Sequence, residues 1–520
     1  MRVKHTILNI TVGLLNQFII TVLSFVSRTV FINSLGIEYL GLNALFTSLL
    51  AMLSLAEAGI GVSIVYNLYK PISEQDQPKI MSLMRLYKNA YRIIALIVML
   101  IGLMAMPFLQ VFIDTDIPHL ELVYLIFLFN TALPYLFVYK HSFLNVNQKN
   151  YIVTAVYSFS TIISTSLKIV ILHYTENYLL FLVVECIISI TTSILLAKAV
   201  DRMYPYLKIK SKEKLDSDTK ANFIKNMKAI LIQNIGTYFI FGVENILISS
   251  FVSIVAVGMY SNYKMLIDIC RTFINQVFGN MYNSMGNLIA KENSQKVYSI
   301  FRVTQLISFW LYSLFASLMF LFVNPFIKLW LGDDFVLDKV VLILLLVTFY
   351  ERGIRNAITM LKTTSGIFHE DRFAPLLQAF INLSASLVLV HFWGLSGIFM
   401  GGLISAFAVP FWSTPYLVFK RVFDLPLISY YLTNLYYIVI ALLGLFLSYG
   451  ISTLFNMDSY AQLIIQCLFS MIAINALYTL FFYRCDEFKY LLKVFRLLVN
   501  KVTGKSYVFF KKRVVRDDSL

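Results

Sequence analysis

Charge is scarce in this chain. Of its 520 residues 14% are Asp, Glu, Lys or Arg and 59% are hydrophobic, against about 25% charged and about 45–50% apolar in soluble domains. With a mean hydropathy of +0.75, a soluble fold cannot hide the apolar surface. Cysteine is also rare. Cys186, Cys270, Cys467 and Cys485 lie far apart, form no CxxC and stand near no His at metal-ligand spacing, which excludes a disulfide framework or zinc site and leaves them as small core hydrophobes. The histidines, His5, His119, His141, His173, His369 and His391, make neither an HxxxxD nor an HExxH string, and GxxxxGK[ST] is missing. No ATPase therefore lies within the chain. Two DxD strings, Asp114-Thr-Asp116 and Asp216-Ser-Asp218, could in principle hold a metal and a nucleotide sugar. The first falls in an outer loop and the second in a Lys-rich loop with no fold around it, so neither is read as catalytic. No metal or cofactor is expected.

What is abundant is long, continuous apolar sequence. A membrane-spanning helix needs about 20 such residues, and windows of about 19 residues mark roughly fourteen spans. They are Ile7–Ile32, Leu42–Tyr69, Tyr91–Ile113, Leu120–Val138, Ile152–Leu172, Leu179–Lys198, Ala229–Phe251, Val257–Met285, Phe301–Val323, Val340–Met360, Pro375–Val390, Gly397–Phe419, Leu432–Leu454 and Leu463–Phe482. A transmembrane β-barrel would show short alternating strands instead. The basic start, Met1 to His5, resembles a signal peptide, but the apolar run that follows is too long and has no cleavage site, so it reads as a retained first span.

The outer loops have little Lys and no Arg. With the N-terminus inside and the spans alternating, they hold only Lys328 and Lys339, with Glu38, Asp114, Asp116, Glu176, Asp333, Asp334, Asp338 and Asp458. The inner segments carry Lys79, Arg85, Lys88 and Arg92, then Lys140 and Lys149, the run from Arg202 to Lys228, Lys291, Lys296 and Arg302, and the tail from Arg484 to Arg516. Basic residues collect on the cytoplasmic side, so both termini are cytoplasmic. The net charge of +15 then faces anionic lipid and needs no nucleic-acid partner.

Aligning Gly41 with Gly258 lays Leu35–Leu42 over Val252–Met259, a weak internal repeat of the kind common in transporters. The expectation is an all-α polytopic protein with two six-helix lobes, 1–200 and 229–420, joined by a basic linker, 201–228. Two further helices, 421–484, and a basic tail, 485–520, complete it. Within the tail, Phe488, Leu491, Leu492, Val494, Phe495 and Leu498 oppose Lys489, Lys493 and Arg496, the pattern of an interfacial amphipathic helix.

Charges inside spans are costly and face a cavity or a partner. Arg28, Glu57, Lys168, Glu185 and Glu244 lie in spans one, two, five, six and seven; Lys264, Asp268 and Arg271 in the eighth; Glu351, Arg352 and Arg355 in the tenth. At 100° per residue, Asn16, Ser24, Ser27 and Arg28 share one face, as do Lys264, Asp268, Arg271 and Asn275, and Thr348, Arg352, Arg355 and Thr359. Local pairing at i,i+3 or i,i+4 accounts for Lys264 with Asp268, Asp268 with Arg271 and Glu351 with Arg355. Arg28 and Lys168 have no such neighbour within a turn. The cationic excess predicts a shared positive cavity for an anion, with phosphate suited to Arg. Arg28, Lys168, Lys264, Arg271, Arg352 and Arg355 are the candidate substrate contacts. Glu57, Glu185, Glu244 and Asp268 are candidates for ion coupling, because desolvation brings a carboxyl toward physiological titration.

The strings Leu35–Phe46, Leu53-Ser-Leu-Ala-Glu-Ala-Gly59, Leu68-Tyr-Lys-Pro-Ile72, Gly258-Met-Tyr-Ser-Asn-Tyr263, Leu329-Trp-Leu-Gly332, Gly366-Ile-Phe-His-Glu-Asp-Arg372 and Gly394-Leu-Ser-Gly-Ile-Phe-Met-Gly401 resemble, in order, Wzx-type polysaccharide repeat-unit flippases. These belong to the multidrug/oligosaccharidyl-lipid/polysaccharide exporters. The resemblance implies two six-helix lobes around a V-shaped cavity, alternating access without a covalent step, and a polyprenyl-pyrophosphate-linked oligosaccharide as cargo for capsule or teichoic-acid-like polymers. It implies a bacterial cytoplasmic membrane, lipid contacts, room for other polysaccharide-assembly proteins as partners, and a cargo role for Arg28. The seventh span departs from the pattern with Gly242-Val-Glu-Asn245, where relatives have Asp-Asn. The alternatives are a drug exporter of the same fold, which should favour acidic cavities, and a membrane polymerase or acyltransferase, which needs a large outer loop or a His with a carboxylate.

Overall fold

A computed structural model describes residues 2–53, 67–68, 71–113, 117–147, 149–208, 236, 238–240, 242–367, 370–423, 425–453 and 459–502. Glu57, both DxD strings, most of the 201–228 linker and the tail beyond residue 502 lie outside the described residues. The described chain is helical, with no strand among those residues. The helices are α1 (Arg2–Leu35), α2 (Ile37–Leu53), α3 (Gln77–Ala105), α4 (Leu120–Ala132), α5 (Tyr135–Val146), α6 (Asn150–Thr175), α7 (Tyr178–Met203) and α8 (Glu244–Phe251). They continue with α9 (Ile254–Lys291), α10 (Ser294–Leu331), α11 (Lys339–Thr364), α12 (Ala374–Ala408), α13 (Pro410–Val418), α14 (Ile428–Ser452), α15 (Tyr460–Phe482) and α16 (Asp486–Val502).

Local chemistry sets these limits. A side-chain oxygen just ahead of a helix accepts one of the orphan N–H groups of its first turn. Asp76 does this for α3 through Lys79 N at 3.0 Å, Asn177 for α7 through Leu180 N at 2.9 Å, and Asn293 for α10 through Lys296 N at 2.9 Å. Gly36, at φ +89°, turns α1 into α2 in a conformation that other side chains resist.

Nine stretches of the described residues are long and apolar enough to cross a membrane. Two shorter apolar helices, Ile37–Leu53 and Tyr238–Phe251, accompany them. One of the nine, Ala374–Phe423, holds two of the expected spans, because the chain reverses within it at Gly394, where φ is +51° and ψ −130°. Beyond the reversal Gly401 lies so close to Ser386 that a Cβ there would strike the Ser386 Oγ, and Ser386 Oγ donates to Ile398 O at 3.0 Å. Helices α9 and α11 cover two more of the expected spans. Their apolar stretches are interrupted by charges, Lys264, Asp268 and Arg271 in one and Glu351, Arg352 and Arg355 in the other. The chain is a multi-pass α-helical membrane protein.

By compactness the chain divides into residues 1–265 with 372–406, here unit 1, and residues 266–371 with 407–520, unit 2. In unit 1 the two glycines of the internal repeat meet. A Cβ on Gly41 would collide with Ile254 O and stand 3.1 Å from Gly258 N, and one on Gly258 would stand 2.5 Å from Ile37 O. Under the alignment of Gly41 with Gly258, Ile37 matches Ile254. The crossing of α2 and α9 is therefore reciprocal, with each residue meeting its repeat partner's neighbour as at an isologous interface. Only glycine permits backbones this close, as in small-residue helix crossings within membranes.

Unit 2 is built on α10. Two thirds of its most apolar window is buried (67%), against a third or less in the other candidate spans. Phe309 stacks on Tyr437 of α14 at 4.6 Å and packs on Tyr478 of α15, whose hydroxyl donates to Ser313 Oγ at 2.9 Å. A second cluster joins Phe301, Met360, Leu361, Phe419 and Phe423.

Candidate functional site

In unit 1, α1 presents Arg28 to the start of α9. Its Nη1 donates to Ser261 Oγ at 2.8 Å and to Asn262 Oδ1 at 3.2 Å. Ser261 Oγ in turn donates to Gly258 O at 2.8 Å, so the glycine crossing that seats α9 also aims the hydroxyl that receives Arg28. Both partners of the guanidinium are neutral, and no ion pair joins Arg28 to a carboxylate among the described residues. A guanidinium has five N–H donors in a fixed fork, and two acceptors leave donors to spare. The sequence reading missed Ser261 and Asn262 as Arg28 partners, although both stand within the Gly258–Tyr263 string that carried part of the resemblance.

Lys168 has a partner that no i,i+4 rule could find. On α6, its Nζ lies 3.0 Å from Glu185 Oε2 on α7 and 4.7 Å from the centre of the Phe181 ring. A substrate contact and a coupling acid from the sequence reading thus form one ion pair. Glu244, at the start of α8, accepts from Tyr260 Oη at 2.8 Å, while Asn245 Nδ2 donates to Ser48 Oγ at 2.9 Å. Lys264 is half-buried on α9.

Two of the expected helical pairs, Asp268 with Arg271 and Glu351 with Arg355, form in unit 2. Arg271 Nη1 donates to Asp268 Oδ1 at 2.9 Å, with both side chains more than a third exposed. Glu351 and Arg355 differ. Arg355 engages Glu351 through Nε and, at 2.9 Å, through Nη2, with side chains only 13% and 5% exposed. This fork lies on the wall of a cavity of about 830 Å³ whose other lining is mostly apolar, including Val347, Trp412, Leu435 and Ile438. Asn434, also on the wall, accepts from Gln305 Nε2 at 2.8 Å. Gln305 and Asn434 went unread in the sequence, because a lone amide in an apolar run carries no periodic signal. Arg352, next to Glu351, is half-buried. Among the described residues no group of three His, Cys, Asp or Glu could hold a metal ion.

No protein-family model matches the sequence, and no curated protein matches it either. Solved structures do match. The lipid II flippase MurJ in an inward closed conformation aligns with a TM-score of 0.63 at 14% identity, over 90% of this chain and 98% of that one. The MATE multidrug transporter DinF-BH gives 0.57 at 16% identity, over 79% and 96%. An inward-facing multidrug resistance MATE family transporter of the MOP superfamily gives 0.53 at 13%, over 75% and 93%. The chain has the fold of MOP-superfamily transporters.

Proposed function

We propose that this protein is a flippase that carries a polyprenyl-pyrophosphate-linked oligosaccharide from the inner to the outer leaflet of a bacterial cytoplasmic membrane for cell-surface polysaccharide assembly. The observation that carries the reading is Arg28, whose guanidinium meets only neutral acceptors among the described residues. A cation placed within a span without an acid beside it attracts an anion, and Arg grips phosphate oxygens through two parallel hydrogen bonds. The apolar cavity in unit 2 suits a ligand with hydrocarbon as well as charge. The MurJ likeness, which extends over more of the chain than that to the multidrug transporters, supports a cargo on a lipid. A drug exporter selecting cations would find the Arg28 site repulsive.

Transport then needs no covalent step, only unequal affinity of inward- and outward-open states for cargo. The proposed lobes are 1–200 and 229–420. Lys168, Lys264, Arg271, Arg352 and Arg355 remain proposed cargo contacts, of which Lys168, Arg271 and Arg355 already pair with an acid. Among the acids proposed for ion coupling, Glu185 and Asp268 each have a cation as partner, whereas Glu244 has a tyrosine hydroxyl, which favours Glu244. Glu57 remains in the proposal on its sequence position alone.

Binding tests the charge preference. Purified protein titrated with a polyprenyl-pyrophosphate-linked oligosaccharide, with polyprenol of equal length and with a cationic rhodamine dye is expected to bind the pyrophosphate at least about tenfold tighter than the alcohol, roughly 1.4 kcal/mol. Equal affinity for the two polyprenyl compounds, or preference for the dye, contradicts the reading.

A further inference from the structure

The amphipathic pattern at 486–496 would suggest one apolar face lying flat on lipid, but the fold divides that face. Half of it is docked on α10. Glu487 Oε1 pairs with Arg302 Nη2 at 2.6 Å, Phe488 stacks on Trp310 with ring centroids 5.7 Å apart and planes at 4°, and Leu491 packs on the cluster around Phe309 and Tyr437. Trp310 is itself fixed by Nε1, which donates to Asn475 Oδ1 of α15 at 2.7 Å. The other half stays outside. Leu492 is 39% and Phe495 64% exposed.

At 100° per residue Leu492 lies between the docked Phe488 and a basic strip of Lys489, Arg496 and Lys493, while Phe495 continues the docked strip one turn beyond Leu491, where α10 no longer covers it. Of these three, Lys489 alone has a carboxylate nearby among the described residues, Asp486 at 3.5 Å, and that pair is 60% and 97% exposed, so solvent screens it. The position of the helix selects its partner. The spanning helix α15 ends at Phe482 and α16 begins at Asp486. Three connecting residues reach no further than about 10 Å, which holds α16 at the level of the bilayer surface. An apolar strip flanked by basic side chains at that depth matches acyl chains below and phosphate headgroups beside it. A soluble partner would have no reason to meet both.

We propose that α16 is a binding surface for anionic lipid headgroups, with Lys489, Lys493 and Arg496 meeting the phosphates and Leu492 and Phe495 entering the acyl boundary. Because the same helix is clamped to α10 by Glu487 and Phe488, bound anionic lipid steadies the end of the central helix of unit 2. The surface is independent of what the protein transports.

Hydrogen exchange of the full-length protein in nanodiscs tests it. Amides of 487–496 are expected to exchange at least tenfold more slowly in phosphatidylcholine discs containing phosphatidylglycerol than in phosphatidylcholine alone. Lys489→Gln/Lys493→Gln/Arg496→Gln, all exposed positions, should erase that difference. So should about 1 M salt, where the screening length falls to about 3 Å. Exchange of α10 amides in pure phosphatidylcholine reports whether the variant stays folded and should be unchanged. Equal exchange in both lipids, or a lipid difference that survives the triple substitution or high salt, overturns the proposal. For a variant with altered α10 exchange, Phe495→Ser, which keeps all three charges, replaces it. It should reduce the lipid difference, and an undiminished difference would count against the acyl contact.

Discussion

Arg28→Ala is expected to cut glycan export about ten- to a hundredfold while leaving membrane abundance near normal. Charge-assisted hydrogen bonds contribute about 1.5–3 kcal/mol, and each 1.4 kcal/mol is about tenfold in affinity. Arg28→Lys should recover only part of the loss, because an ammonium keeps the charge but lacks the planar fork. Arg28→Glu should abolish export by repelling the anion. Alanine also leaves Ser261 Oγ and Asn262 Oδ1 without the guanidinium. Both are uncharged, and the serine hydroxyl already donates to Gly258 O, so the structural cost stays below that of a stranded charge. Export measured beside quantified membrane protein separates the effects. Normal export by Arg28→Ala at normal abundance would remove Arg28 from the cargo path.

For the buried fork in unit 2 the expected result is a stability asymmetry. Arg355→Met leaves Glu351 buried without its cation, and Glu351→Gln leaves Arg355 without its anion. Losing one member of a buried pair costs about 3–5 kcal/mol, whereas replacing both by matched uncharged groups is often nearly neutral. The single variants should therefore melt well below the wild type in detergent, and Glu351→Gln/Arg355→Met should recover most of the difference. If the double variant is stable yet inactive in transport, the pair does more than hold α11 in shape, and a cargo role for Arg355 is supported. Single variants that melt with the wild type would show that solvent in the cavity already compensates the charges.

The helices were legible because apolar length is a property of contiguous sequence. The pairs Asp268 with Arg271 and Glu351 with Arg355 were legible because 3.6 residues per turn brings i+3 and i+4 together. Lys168 with Glu185 was not, since 17 positions and a turn separate them. Arg28 shows the same limit more sharply. Its charge and depth were readable, but its partners lie 233 and 234 positions away, and only the packing of α2 on α9 brings them within reach. The alignment of Gly41 with Gly258 was visible as a pattern, while its physical cause, two backbones too close for a Cβ, appears only when Ile254 and Ile37 are placed opposite them. The reversal inside α12 was read as a gap between two spans. The tail's apolar face was read whole, and its division between Trp310 and open surface follows from a tertiary contact that no helical wheel contains.

The central claim is movement of an anionic lipid-linked saccharide between leaflets. The direct measurement is transbilayer movement of a fluorescent polyprenyl-pyrophosphate-linked oligosaccharide in sealed vesicles, with and without the reconstituted protein, followed by a membrane-impermeant quencher. The account predicts that the protein accelerates exchange of this probe between leaflets, that Arg28→Ala removes the acceleration, and that a polyprenyl saccharide without phosphate is not moved. Movement no faster than in protein-free vesicles, or equal acceleration of the phosphate-free compound, would contradict it.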